Sequence, residues 1–326
     1  MRTKIYPLVL FTLAPLLAGV ADFNGRWNLT VQGEPRARAW WLEVENAGSA
    51  QMRGKFVGAP GGAVDVIPVM RIEGDELVWE FERVYRRNPQ VDDPQDKAKG
   101  VYRAKIVKGD LAGSFAVAGR PGPGLTFTGK RAPKLDDKDD GSWQAGKPVE
   151  LFNGKDMKGW SPRVAGRPLA WYVKDGAMHN EAGATDIVSE AKFMNFKLHI
   201  EYRVAIKSNS GIGLRGRYEI QIYGDQGRPP SSHGNGALYS RITPAVNATL
   251  PPEQWQTFDI TLIGRTLTVV LNGKTLIDRQ EVEGLTAIAT DPNEGQPGPI
   301  ILQGDHGPVE FRKIVVTPLV KRGKAS

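Results

Sequence analysis

A single carboxylate, Glu219, stands in the stretch "SNSGIGLRGRYEIQIYG" (208–224), on the same alternation as Gln221 and Tyr223. Arg215 shares that parity, although Gly216 and Arg217 could turn the chain between them. Ile212, Leu214, Tyr218, Ile220 and Ile222 occupy the other parity. Strands send successive side chains to opposite faces, so one face reads as core and the other as a polar floor. A lone carboxylate beside a guanidinium and amides suits general-base work. Such a base takes a proton, and Arg215, Gln221 or Asn209 stabilises the anion left behind. A conventional glycosidase works with two carboxylates. In some, the register E-x-D-x-x-E supplies them from one strand. Here that register falls on Glu219, Gln221 and Gly224, and only the first is acidic. Gly211 and Gly213 are expected to leave room above the sheet for a sugar ring.

A second polar cluster, "QGDHG" (303–307), lies between two strand-like runs, where loops collect functional groups. His306 reads as the acid for a departing oxygen, or as the base in place of Glu219. The same residues are also good turn chemistry. Gln303 joins Asn209 and Gln221 as a candidate for binding substrate. His233 lies on the Gly/Ser-rich run "PPSSHGNGALY", shortly before Tyr239, and both are candidates for covering a sugar. Trp160, Trp171 and Trp255 read as packing rather than sugar platforms. Arg312 reads as a structural ion-pair residue, His199 as surface, and His179 as a weak cleft candidate. Glu219, His306, Asp305 and Asp225 are types that hold divalent ions. No metal-ligand spacing motif is present, so no metal site and no cofactor is assigned.

The elements that must position these groups are strands. From Asp22 to about residue 131, eight short strand candidates follow one another with turns such as "EGDEL" (73–77) and "KGDL" (108–111), which predicts a small antiparallel β-barrel. A polar loop spans 87–100. No convergent polar group stands out in this barrel, so its role reads as accessory. Residues 132–148, rich in Pro and charge, read as a linker. A second strand-rich domain spans 149–319, with a hairpin at Asn272-Gly273, and a basic tail covers 320–326. Long alternating strands without a helix-length segment predict an all-β chain: a small N-terminal barrel, then a jelly-roll β-sandwich.

Residues 1–21 carry Arg2 and Lys4, an apolar run and a small-residue end, the pattern of a cleaved signal peptide. The expected destination is the periplasm or the exterior, with no membrane span after cleavage. The sequence has 326 residues and no cysteine, which excludes disulfides, thiolate catalysis and thiolate metal sites. The net charge of +7 is dispersed, so nucleic acid is not an expected partner.

Several motifs now fall into a known order: "ELFNGKDMKGW", "WYVKDGAMHN", "SNSGIGLRG", "YEIQIYG", "GALYS", "LNGK" and "ILQGDHGPVEFRKIVV". Residues 149–317 resemble the 3-keto-disaccharide hydrolase family, formerly a domain of unknown function. The resemblance implies a concanavalin-like jelly roll that cleaves glycosides whose glucose unit carries a ketone at carbon 3. It also implies a separate sugar 3-oxidoreductase acting upstream. Such a ketone acidifies the carbon 2 proton. After a base removes it, the bond from carbon 1 to the leaving oxygen breaks by elimination, with or without later hydration. A non-catalytic carbohydrate-binding protein and an ordinary two-carboxylate glycosidase remain the alternatives.

Overall fold

The computed structural model describes residues 19–33, 38–58, 62–85, 96–120, 124–181 and 183–321. The expected leader up to residue 18, most of the polar loop at 87–100 and the tail from residue 322 lie outside the described residues.

The N-terminal half is one antiparallel sheet of nine strands. Their order is Asp65–Val66, Arg53–Val57, Ala39–Glu45, Gly25–Gln32, Leu125–Arg131, Asp110–Val117, Lys97–Val107, Glu76–Val84 and Val69–Glu73. The two outermost strands are consecutive in sequence, so the sheet curls around one core with its seam at Ile67-Pro68. The alternation drives this: Leu77, Trp79 and Phe81 point inward with Trp27, Trp40, Phe56, Tyr102 and Phe127. Lys108 and Gly109 both adopt positive φ (53° and 87°) in the tight turn between two of these strands, the geometry a two-residue hairpin needs.

The strand Ala39–Glu45 departs from simple alternation, being buried on both faces for six of its seven residues. Trp40, Leu42 and Val44 belong to the barrel core. Ala39 and Trp41 belong instead to the core of the second half. Each aromatic of this size removes about 150–250 Å² from water, worth about 4–6 kcal/mol at ~25 cal/mol/Å². The outward face of this strand therefore docks the two halves. Ala39 N–H donates to the Ala289 carbonyl at 3.0 Å. Asn28 Nδ2 donates to Glu294 Oε2 at 2.6 Å, and Lys55 Nζ to Glu283 Oε1 at 2.6 Å. The Arg241 guanidinium lies 4.3 Å from the centroid of the Trp41 ring.

The second half is a β-sandwich of the jelly-roll kind. One sheet runs through Trp171–Lys174, Ala177–Asn180, Val309–Lys321, Phe196–Val204, Gln256–Ile263, Thr266–Leu271 and Lys274–Glu281. The other has five strands: Trp160–Pro162, Ile187–Phe193, Gly298–Leu302, Asn209–Leu214 and Tyr218–Tyr223. The stretch expected as a linker is ordered against the sandwich: Trp143–Ala145 pairs with Leu319–Lys321, and Asn195 Nδ2 donates to Asp137 Oδ2 at 2.7 Å. Apolar residues left over at the end of a polar segment are what let it dock.

Candidate active site

The hairpin Asn209–Leu214/Tyr218–Tyr223 makes the floor of the site. Gly211 pairs with Gln221 and Gly213 with Glu219. Ile212, Leu214, Tyr218, Ile220 and Ile222 face the sandwich core, so Glu219 and Gln221 point the other way, toward the barrel. There they border an open cavity of about 210 Å³ between the two halves. The floor and side walls include Asn209, Glu219, Gln221, Tyr239, Gln303 and His306. The barrel, expected from sequence as accessory, closes the opposite side with Arg38, Ala39, Trp40, Val57, Gly58 and Gly62.

Glu219 is fixed at its backbone. Its N–H donates to Thr286 Oγ1 at 2.9 Å, and its carbonyl accepts from Tyr239 N–H at 2.9 Å. The carboxylate leans over Gly211, where a Cβ would stand 2.7 Å from Oε1. The space above Gly211 thus belongs to Glu219, and that above Gly213 to Ile301 and Ile288. Neither glycine opens onto a sugar ring as expected.

Only 4% of the Glu219 surface is exposed. Burial, reinforced by the charge of Asp186, pushes its pKa up to about 7, against the opposing pull of His306 and Arg163. His306 is half-exposed and its Nδ1 bonds Asp305 Oδ1. That bond raises the imidazole above its ordinary value despite partial burial. Its Nε2 is left for another partner. Burial also raises Tyr239, helped by the nearby Glu219. The amide of Gln221 donates to Asn209 Oδ1 at 3.0 Å. The side-chain oxygens of Gln221 and Gln303 are buried at the cavity without a hydrogen-bond partner among the described residues, an arrangement that suits donors arriving with a ligand.

The structure therefore brings together six of the eight residues expected from sequence. His233 stays at the rim, its ring edge-on to Tyr239 at 4.9 Å between centroids. Arg215 is corrected. It does not line the cavity, because Arg215 and Gly216 both take positive φ (53° and 67°) in the turn between the strands. That turn ends the strand parity at Leu214. The guanidinium instead donates from Nε to the Met194 carbonyl at 2.5 Å and from Nη2 to Asn195 Oδ1 at 3.3 Å. Burial lowers its pKa to about 10.

Two charged residues near Glu219 escaped the sequence reading. Arg163 Nη1 and Asp186 Oδ2 form a buried pair at 3.0 Å, with side-chain exposures of 2% and 1%. They directly follow and precede the paired strands Trp160–Pro162 and Ile187–Phe193. Their signal was only that both lie one step past a strand end, legible once the pairing is known. Asp225, considered as a metal ligand, accepts hydrogen bonds from Asn235 N–H, Asn247 Nδ2 and Thr249 Oγ1. Among the described residues no group of three or more His, Asp or Glu side chains is arranged to hold a metal ion. Trp160 and Trp171 are buried in the sandwich core, and Arg312 bonds Glu201 while stacking on Trp255.

Residues 147–317 match the model of the 3-keto-alpha-glucoside-1,2-lyase-like domain. A crystal structure of a candidate glycosyl hydrolase from Parabacteroides distasonis ATCC 8503 is 29% identical, covering 54% of this chain and 90% of that one, with a TM-score of 0.46. A second from the same organism is 20% identical over 53% of this chain and 94% of its own, TM-score 0.43. A third is 22% identical over 53% and 100%, TM-score 0.42. No curated protein matches the chain.

Proposed function

The chain belongs to the 3-keto-alpha-glucoside-1,2-lyase-like family, and from that premise we propose that it cleaves glycosides whose glucosyl unit carries a ketone at carbon 3. The observation that carries this reading is the buried, single Glu219 carboxylate with a pKa near 7. A general base works best when its pKa lies near the working pH. Burial makes this carboxylate a stronger base than an ordinary one.

In the proposed reaction Glu219 takes the proton from carbon 2, and the electron pair delocalises onto the ketone oxygen as an enolate. Collapse of the enolate restores the ketone, forms the double bond between carbons 1 and 2, and breaks the bond from carbon 1 to the leaving oxygen. His306, whose bond to Asp305 favours its protonated form, gives that oxygen a proton. The product is an enone. Addition of water at carbon 1, with the proton returned from Glu219 to carbon 2, gives net hydrolysis. Acid–base steps of this kind contribute roughly 10²–10⁴-fold each.

A two-carboxylate mechanism finds less support. Asp186 and Asp305 are the other carboxylates that act on Glu219, and each already faces a cation, Arg163 and His306. We further propose that a separate sugar 3-oxidoreductase supplies the ketone, and that the protein works in the periplasm or outside the cell. The test is to incubate the protein with 3-keto-4-nitrophenyl glucoside and with its unoxidised parent. Release from the keto form alone is expected. Equal release from both would mean an ordinary glycosidase, and tight binding without release a binding protein.

A further inference from the structure

We propose that the N-terminal barrel forms the subsite for the leaving group, with Arg38 as its polar contact to the hydroxyls of a second sugar. The inference rests on the reaction proposed above. The family domain spans 147–317, yet Arg38, Gly58 and Gly62 lie on the wall of the same cavity as Glu219.

Three observations carry it. First, this wall is fixed. Ala39, next to Arg38, bonds Ala289 through its backbone, and Val64 N–H donates to Ser240 Oγ at 2.8 Å. Trp41 buries its ring in the sandwich core. The strand that carries the barrel side of the cavity is therefore docked on the sandwich at Ala39 and Trp41. Second, the two sides differ in chemistry. The charges that act most on Glu219 are those of Asp186, His306, Arg163 and Asp305, all from the sandwich. The acid, the base and the amides Gln221 and Gln303 are gathered there, around the reacting carbons. Arg38 is the only charged residue that the barrel brings to the cavity wall among the described residues. It brings hydrogen-bond donors to a wall that the sandwich does not supply. Third, the wall comes close to the sandwich beside it. A Cβ at Gly62 would stand 3.0 Å from the Ala287 Cβ and 3.7 Å from the Tyr239 ring, so only a narrow gap separates the two halves there. A guanidinium offers several donors in a plane, which suits adjacent sugar hydroxyls.

The experiment compares a 3-keto disaccharide with methyl 3-keto-glucoside, whose leaving group is too small to reach the barrel. In the full chain, Arg38→Ala is expected to lower kcat/KM for the disaccharide roughly 10- to 100-fold, the loss typical of a charged hydrogen bond, and to change it far less for the methyl glycoside. Gly62→Ser, which adds atoms at the gap rather than removing a charge, is expected to show the same selective loss. An equal loss on both substrates, or none on either, overturns the inference. Binding of the unoxidised disaccharide by calorimetry gives a readout independent of catalysis: affinity should fall with Arg38→Ala, and unchanged affinity also overturns it. Failure of the wild-type protein to cleave either keto substrate would instead overturn the proposed reaction, while the binding result still decides the subsite.

Discussion

Gly211 and Glu219 share one space: a Cβ on the glycine would stand 2.7 Å from the carboxylate oxygen Oε1 and 3.1 Å from Cγ. The glycine is thus a condition for the carboxylate's position. Gly211→Ala should push the side chain of Glu219 aside while leaving the hairpin paired, because the clash is with a movable side chain. A displacement near 1 Å of a reacting group costs about 10²-fold in rate. The expected outcome is a large fall in kcat on a 3-keto glucoside with a melting temperature within a few degrees of wild type. An alanine variant with full activity would show that Glu219 has slack and is not held for catalysis.

Glu219 should also weaken the fold at neutral pH. Its folded pKa, about 7, lies above its ordinary value of 4.5. The protonated form is therefore favoured by folding. Its stabilising effect is complete below pH 4.5 and is lost as the pH rises through about 7. Glu219→Gln, which stays neutral, should be more stable than wild type at pH 8 by roughly 1–3 kcal/mol, and the two should converge near pH 4. Denaturation at both pH values measures this. A glutamine variant less stable than wild type at pH 8 would contradict the buried, raised carboxylate.

The acid limb of the pH profile should report the same group. kcat/KM should rise with pH through about 7 as Glu219 loses its proton, while the basic limb belongs to His306, which its bond to Asp305 shifts upward. Asp186 raises Glu219 and Arg163 lowers it. Asp186→Asn removes the first and frees the second from its carboxylate, so both changes act in one direction. The acid limb should move to lower pH, with a destabilisation of about 3–5 kcal/mol from the broken buried pair. A limb that stays put or moves up would mean that another group titrates.

Arg215 separates folding from chemistry. Its hydrogen bonds go to Met194 and Asn195, so Arg215→Met should lower the melting temperature and leave kcat per folded molecule nearly unchanged. Loss of kcat at full stability would return Arg215 to the reaction.

What the sequence made legible follows from a period of two. Alternation along Ile212–Ile222 was enough to put Glu219 and Gln221 on one face and the core residues on the other, and Asn272-Gly273 marked its hairpin. Alternation fails where the chain turns, which is why Arg215 was misplaced: Arg215 and Gly216, both in the left-handed region, end the parity. Long-range pairing was not legible either. Arg163 and Asp186 meet only because their strands lie side by side, and Arg38 reaches the cavity only because the barrel docks there. One clue to that docking was present. The doublet Trp40-Trp41 is apolar on both parities, as in strands covered on both faces.

The central claim is that Glu219 removes the carbon 2 proton before the glycosidic bond breaks. Deuterium at carbon 2 of a 3-keto glucoside tests it most directly. With wild-type protein, kcat/KM should fall on deuteration, solvent hydrogen should enter carbon 2 of the product, and Glu219→Gln should abolish both cleavage and exchange. Equal rates for the two isotopologues, with carbon 2 keeping its deuterium in the cleaved sugar, would contradict the account.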